Sequence, residues 1–399
     1  MKKILTALLL VAALTFLVAC AGNPSDATPT PAPQEEVAAN PTSDPPAPEP
    51  ITEDITDDVD DADDYDTAEQ DVDDRPRELV TITDFDGNVA EVRQNPTIVA
   101  VYDQGILDMM YTIGFDRFGI ETLIVPNPSG LPSVLQGINN IPDLRVLDGG
   151  TLFYVNWDVL DLVPPELIIL GARSFGMNAA GDRLDPEDVA EFRATTEERY
   201  AETSFIRLTI NARDSDLLND MTANAEAMAL IWPHIADDLL NEIDNIRAGM
   251  DYVAAVAEES GYRAVFLMMT TPDNFSLFLA NSRMDMVYEE FGFTPVIPPE
   301  DLGDFTDQHG FEARAEFVLA LDPDVIFLLD RNQMNDNIPE SAGFTALLSD
   351  PIIQRTSAYL NGHIYALYPQ EWYTVVGGFA SARQMVTDMM RFVDSFRAS

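Results

Sequence analysis

Residues 78–93 alternate polar and apolar positions on either side of an Asp86-Gly87 step, the pattern of two short strands joined by a tight turn. Residues 97–102 (TIVAVY) then form one apolar run of the length of a fully buried strand. Across residues 105–113 the apolar positions fall at helical spacing and stop at Gly114. A helical pattern returns at residues 157–162, and a second buried-strand run follows at residues 166–170. Strand-length runs alternating with helical ones predict a sheet covered by helices, an α/β lobe.

Residues 215–260 break that rhythm. They are helical in pattern throughout, with Pro233 marking an interruption and a long second piece over residues 236–259 ending at Gly261. A second α/β set follows, with strands expected at residues 264–269, 276–279, 325–329 and 363–368, a helix at 284–291, and a terminal helix at 380–396. The chain therefore predicts an α/β fold of two Rossmann-like lobes joined by a single long α-helix, with a ligand cleft between the lobes. The expected division is residues 78–232 for the first lobe, 233–260 for the inter-lobe helix and 261–399 for the second lobe.

A weak internal repeat supports two lobes. Residues 157–173 align without gaps to residues 315–331. In each copy an acid (Asp158, Glu316) opens a short helix, a Pro-acid pair turns the chain, an apolar strand follows, and an arginine (Arg173, Arg331) stands just past the strand. Ligands of open α/β sheets bind outside the carboxyl ends of the strands. Two such arginines would face each other across one cleft.

The N-terminus changes the picture of where the protein works. Lys2 and Lys3 precede a short apolar stretch that closes on Leu17-Val18-Ala19-Cys20. That is a secretory signal of lipoprotein type over residues 1–20, and it is excluded from fold reasoning. Cys20 is the only cysteine in the chain, so the lipid anchor is expected there and no internal disulfide is possible. Residues 21–77 are Pro- and Ala-rich and then, from Glu53 to Asp74, carry acidic charges only. Low hydrophobicity with like charge predicts a disordered spacer with a reach of about 40 Å. The expected localisation is extracytoplasmic, either periplasmic or tethered to the outer face of the cell membrane.

The formal net charge is −47, and after Lys3 every strong cation is an arginine. Such a field repels nucleic acid and anionic bilayers, which are not expected as partners. Catalytic signatures are also missing: there is no Cys nucleophile in the body, no G-x-S-x-G elbow, no H-E-x-x-H and no phosphate-binding Walker loop. The chain is expected not to be an enzyme and to have no intrinsic cofactor.

The body resembles the helix-linked substrate-binding lipoproteins of iron-siderophore and cobalamin ABC importers, and within them the binders of ferric catecholate siderophores. The matching pieces are Val99-Ala100-Val101-Tyr102-Asp103 with Gly105-Ile106-Leu107-Asp108, Pro165-Glu166-Leu167-Ile168-Ile169 with Gly171-Ala172-Arg173, and Asn281-Ser282-Arg283. Further on come His309-Gly310, Pro323-Asp324-Val325 with Asp330-Arg331, and Trp372-Tyr373 before Gly377-Gly378. The resemblance implies that Arg173, Arg283 and Arg331 hold an anionic ferric siderophore. It implies that His309 and Tyr373 can reach iron directly where the siderophore leaves sites open, and that Asp158 and Glu316 dock the permease. The implied partners are the siderophore, a permease with its ATPase, and the membrane through Cys20; the chain itself is expected to be a monomer. Residues 174–195 depart from the family pattern as an insertion near the cleft.

Guanidinium groups suit such a ligand because they stay charged, donate in a fixed fork and stack on aromatic faces. Read singly, each arginine is better explained by pairing with a carboxylate, and Asp330 stands beside Arg331. His309 read singly is a structural donor, Trp372 is core packing, and the two acids complement helix dipoles. Cobalamin or haem, with more apolar walls, remains the alternative ligand within the same transport role. A surface adhesin or scaffold is the alternative from another class.

Overall fold

The computed structural model describes residues 77–176, 184–210, 216–271, 274–297 and 310–398. Cys20, His309, the expected signal and nearly all of the acidic spacer lie outside the described residues.

Strands β1 (Leu79–Thr83) and β2 (Val89–Arg93) pair antiparallel around a turn in which Gly87 adopts φ +80°. The first lobe then alternates strand and helix: β3 (Ile98–Val101), α1 (Gln104–Ile113), α2 (Phe115–Phe118), β4 (Thr122–Val125), β5 (Arg145–Asp148), α3 (Trp157–Leu162), β6 (Leu167–Leu170), α4 (Pro186–Arg199) and β7 (Ser204–Arg207). Its sheet is parallel, in the order β5-β4-β3-β6-β7. The hairpin closes the β7 edge: Phe85 N–H donates to the Arg207 carbonyl, and Ser204 Oγ donates to the Glu91 carbonyl. That covering leaves fewer unpaired backbone groups on the edge strand.

Two helices follow, α5 (Leu217–Ile231) and α6 (Ala236–Ser260), broken at Pro233 and stopped by Gly261 in the left-handed conformation. The second lobe comprises β8 (Arg263–Thr271), β9 (Asn274–Phe278), α7 (Met286–Glu289), β10 (Thr294–Pro295), β11 (Phe311–Ala313), α8 (Ala315–Leu321), β12 (Val325–Asp330), α9 (Ala342–Ser349), α10 (Ser357–Asn361), β13 (Ile364–Ala366) and α11 (Pro369–Tyr373), and the chain closes with α12 (Phe379–Ala398). Its sheet runs β11-β9-β8-β12-β13 with β10 paired to β8; the β8-β12-β13 core is parallel and β9 and β11 are antiparallel.

The repeat seen in the sequence is a structural one. α3–β6 and α8–β12 are each a short helix feeding a parallel strand, and β6 beside β3 holds the place that β12 holds beside β8. β3, β4, β6, β8 and β12 are buried along almost their whole length, as their continuous apolar runs require.

One core runs through both sheets. Val99, Val101 and Met110 share a buried cluster with Phe266, Phe327 and Trp372, joined by apolar residues of α5, α6 and α12. Each sheet also buries its other face in a separate cluster, around Ile168 and Phe175 in the first lobe and around Leu267 and Ile326 in the second. α12 packs against α1 as well as α6, so the last helix binds the two lobes together. Among the described residues no helix is long and apolar enough to cross a membrane.

Two elements differ from expectation. The helix expected over residues 284–291 shortens to α7, because Asp285 folds back to accept from Asn281 N–H (2.8 Å) and holds residues 281–285 in turns. Within the expected insertion, helix α4 forms behind Asp185, whose carboxylate accepts from Glu187 and Asp188 N–H with Pro186 at the first helical position.

Candidate functional site

The site is assembled from strand ends. β3 delivers Tyr102 and Asp103, β6 delivers Ala172 and Arg173, and the segment after β7 delivers Thr209 and Ile210. From the second lobe come Arg283 in the turns before α7, Met286 on α7, and Trp372 and Tyr373 on α11. Together these residues enclose a cavity of about 250 Å³ between the lobes.

Asp103 caps α1: Oδ1 accepts from Gly105 N–H (2.9 Å) and Ile106 N–H (3.1 Å), while Oδ2 accepts from Thr209 Oγ1 (3.0 Å). Burial pushes its carboxyl above the usual range, opposed by these donors and by the charge of Arg173. Gly105, two residues on, has no room for a side chain, since a Cβ there would lie 2.5 Å from the Val376 carbonyl. The start of α1 thus presses directly on the segment that follows Tyr373.

Arg283 and Tyr373 form the centre of the opposite wall. The Arg283 guanidinium carbon lies 3.9 Å from the Tyr373 ring centroid, and its Nη2 donates to the Tyr373 carbonyl (3.0 Å). Arg331 stands at 5.4 Å from the same ring but does not line the cavity. Burial pushes the Arg283 guanidinium down; the Tyr373 side chain opposes this, while the charges of Arg173 and Arg331 push the same way. Arg283 thus lies within the field of both other arginines. None of them is ion-paired with a carboxylate among the described residues. Asp330 is committed elsewhere, accepting from Ser341 Oγ (2.6 Å) and from Asn332 N–H (3.0 Å).

Tyr373 is partly buried beside the arginines, and Trp372 is fully buried with its indole donating to Asp388 Oδ2 (2.8 Å). His309 lies outside the described residues. Asp158 and Glu316 are exposed in the first turns of α3 and α8, away from the cavity. The insertion does not line the cavity through α4, which packs instead on α3 through Phe192. Asp103, Thr209 and Met286 are site residues that sequence reasoning did not single out. The Asp103-Gly105 step before a helical run was the available signal for the first, while nothing local marks the other two.

The fold is that of the two-lobed, helix-linked periplasmic binding proteins. No family model matches the chain. It is 24% identical over 321 residues, 79% of this chain and 89% of the relative, to the petrobactin-binding protein YclQ of Bacillus subtilis. It is 21% identical over 328 residues, 79% of this chain and 88% of the relative, to the ferric-anguibactin-binding protein FatB of Vibrio anguillarum. Among solved structures, the catecholate-siderophore binding protein VctP of Vibrio cholerae superposes with a TM-score of 0.62 at 23% identity, covering 79% of this chain and all of that one. The iron-uptake ABC transporter substrate-binding protein PiuA of Streptococcus pneumoniae superposes at 0.61 with 20% identity, covering 79% of this chain and 99% of that one. Both relatives are siderophore-binding by name, and the fold neighbours include a catecholate-siderophore binder and an iron-uptake substrate-binding protein, in line with the resemblance read from the sequence.

Proposed function

We propose that this chain is the extracytoplasmic substrate-binding component of an ABC iron importer and that it captures a ferric catecholate siderophore between its lobes. The observation that carries this reading is that Arg173 and Arg283 line one cavity, with Arg331 beside the same Tyr373 ring and none of the three in an ion pair with a carboxylate among the described residues, in a chain of net charge −47. An anionic, aromatic-edged ligand uses both the charge and the stacking face of such groups. Iron enters as part of the cargo. Tyr373 supplies a platform for Arg283 and a phenol within reach of the ligand, with His309 as a second candidate. In this reading Asp158 and Glu316 dock a permease coupled to an ATPase, Cys20 carries a lipid anchor, residues 21–77 are the spacer, and the protein works as a monomer without catalysis.

The test is a fluorescence-quenching titration of the full chain with ferric catecholate, ferric hydroxamate, cobalamin and haem. Saturable quenching by the catecholate, weakened by Arg283→Ala, is the expected result. Binding to cobalamin or haem alone overturns the ligand class, and binding to none of the four overturns the transport reading.

A further inference from the structure

Arg173 is carried by a loop that holds itself in an unusual shape. Gly171 N–H donates to Ser174 Oγ (2.9 Å), Ser174 N–H to the Gly171 carbonyl (3.2 Å), and Gly176 N–H to the Arg173 carbonyl (3.2 Å). Two turns therefore follow each other, with Arg173 between them. The second requires Phe175 to adopt φ +61°, a left-handed conformation that a bulky side chain avoids. Such a conformation persists only where its surroundings over-determine it.

Those surroundings are aromatic. The Phe175 ring is buried, stacked on Trp157 (centroids 6.1 Å, planes 9° apart), with Phe192 edge-on at 5.4 Å. Trp157 is stacked in turn on Tyr200 at 5.6 Å and meets Phe192 edge-on at 5.7 Å. Phe192 belongs to α4 and Tyr200 follows its last turn, while Trp157 opens α3. The Tyr200 hydroxyl donates to Asp161 Oδ1 (2.5 Å), and Arg199 pairs with the same carboxylate. The residues that depart from the family pattern thus close a clamp of α4 on α3 around Phe175.

We propose that Phe175 is a positioning residue for Arg173. The clamp fixes the left-handed turn, and the turn fixes the direction from which Arg173 enters the cleft. This rests on the functional reading above, in which Arg173 takes part in holding the ferric catecholate. The helix that lines no part of the cavity then contributes to affinity by preorganising one arginine that does.

The test is a double-mutant cycle on ferric catecholate affinity with the full chain: Phe175→Ala, Arg173→Ala and both together. Phe175→Ala is expected to weaken binding roughly 10- to 100-fold, as loss of a charge-assisted hydrogen bond does. The double variant should bind no more weakly than Arg173→Ala alone, because the ring acts through that arginine. Phe175→Gly separates ring from backbone: glycine accepts the positive φ without strain, and binding is still expected to fall because the clamp has lost its centre. Phe192→Leu keeps most of the core volume and supplies a second cycle with Arg173→Ala should the Phe175 variants fold poorly. Equal losses from the clamp variants with and without Arg173, or no loss in a folded variant, overturn the proposal while leaving the functional reading in place. No catecholate binding by the unaltered chain overturns both.

Discussion

The Arg283 guanidinium carbon stands over the Tyr373 ring, 3.9 Å from its centroid, and the same guanidinium donates at 3.0 Å to the carbonyl of that residue. Ninety positions separate the two in sequence, yet this pair defines the second lobe's wall of the cleft. The hydrogen bond and the ring together hold the guanidinium in place.

Removal of any one arginine follows directly. Arg173→Ala, Arg283→Ala and Arg331→Ala should each cost on the order of 1.5–3 kcal/mol of ferric catecholate binding. Arg283→Ala is expected to cost the most, because its guanidinium is the most desolvated and is held on two sides. Calorimetric titration of the three variants gives the ranking, and unchanged affinity in all three would falsify the arginine pocket.

Acid strengthens this fold through its buried carboxyls, Asp108 and Glu290 among them. Burial pushes Asp108, which accepts from Ser381 N–H at the start of α12, up to about 6. Burial likewise pushes Glu290, which accepts from Leu217 N–H (2.6 Å) at the start of α5, up to about 7, with Asp216 and Asp285 adding repulsion. A carboxyl raised in the folded state binds more protons folded than unfolded, so its stabilisation is present at low pH and is lost as pH rises. For Glu290 the loss runs from its ordinary 4.5 to about 7. Urea denaturation should find the chain less stable at pH 8 than at pH 5, by about 2.5 kcal/mol from Glu290. Glu290→Gln keeps the acceptor for Leu217 and should flatten that slope; an unaltered slope would show that Glu290 is not its source.

The turn before α12 tolerates no side chain. A Cβ on Gly378 would stand 2.0 Å from Asp108 Oδ2, and one on Gly377, at φ +89°, would stand 2.5 Å from Ile210 Cγ2. Gly378→Ala should therefore destabilise by about 1–3 kcal/mol or more. Because Ile210 and Val376 line the cavity, Gly377→Ala should also weaken ligand binding. Thermal melts with parallel ligand titrations measure both.

Capture and delivery should separate at the two exposed acids. Asp158→Ala and Glu316→Ala leave the cavity intact, so ligand affinity should stay within about twofold, since surface changes away from it are near neutral. Stimulation of the reconstituted permease and ATPase should fall, because oppositely charged patches set the docking encounter. Wild-type stimulation by the double variant would remove the docking role from both residues.

Much of the fold was legible because its signals are local. The apolar runs of β3, β6 and β12 and the helical spacing of α1, α6 and α12 reflect burial that each segment needs wherever it lies. The repeat of residues 157–173 at 315–331 carried the two-lobe reading, and its arginines both stand just past strand ends. Residues 174–195 were read as an insertion because Gly-, Ala- and Asp-rich sequence departs there from the family pattern, and most of α4 falls within them. Its start signal, Asp185-Pro186-Glu187-Asp188, was nevertheless present. Strands β5 and β7, four residues each at the sheet edges, offer too short a pattern to distinguish from loop.

By itself the sequence determined the order of the main strands and helices, the long connecting helix, the strand-end positions of Arg173 and Arg331, and the chemistry available at the cleft. These depend on periodicity, turn residues and side-chain charge, which neighbours along the chain fix. Tertiary structure alone decided that Tyr373 would carry Arg283, that Asp330 would turn to Ser341 and leave Arg331 unpaired with it, and that Phe175 would stack on Trp157. Such contacts arise from strand order and from how helices settle on shared cores, where residues far apart in sequence compete for the same partner.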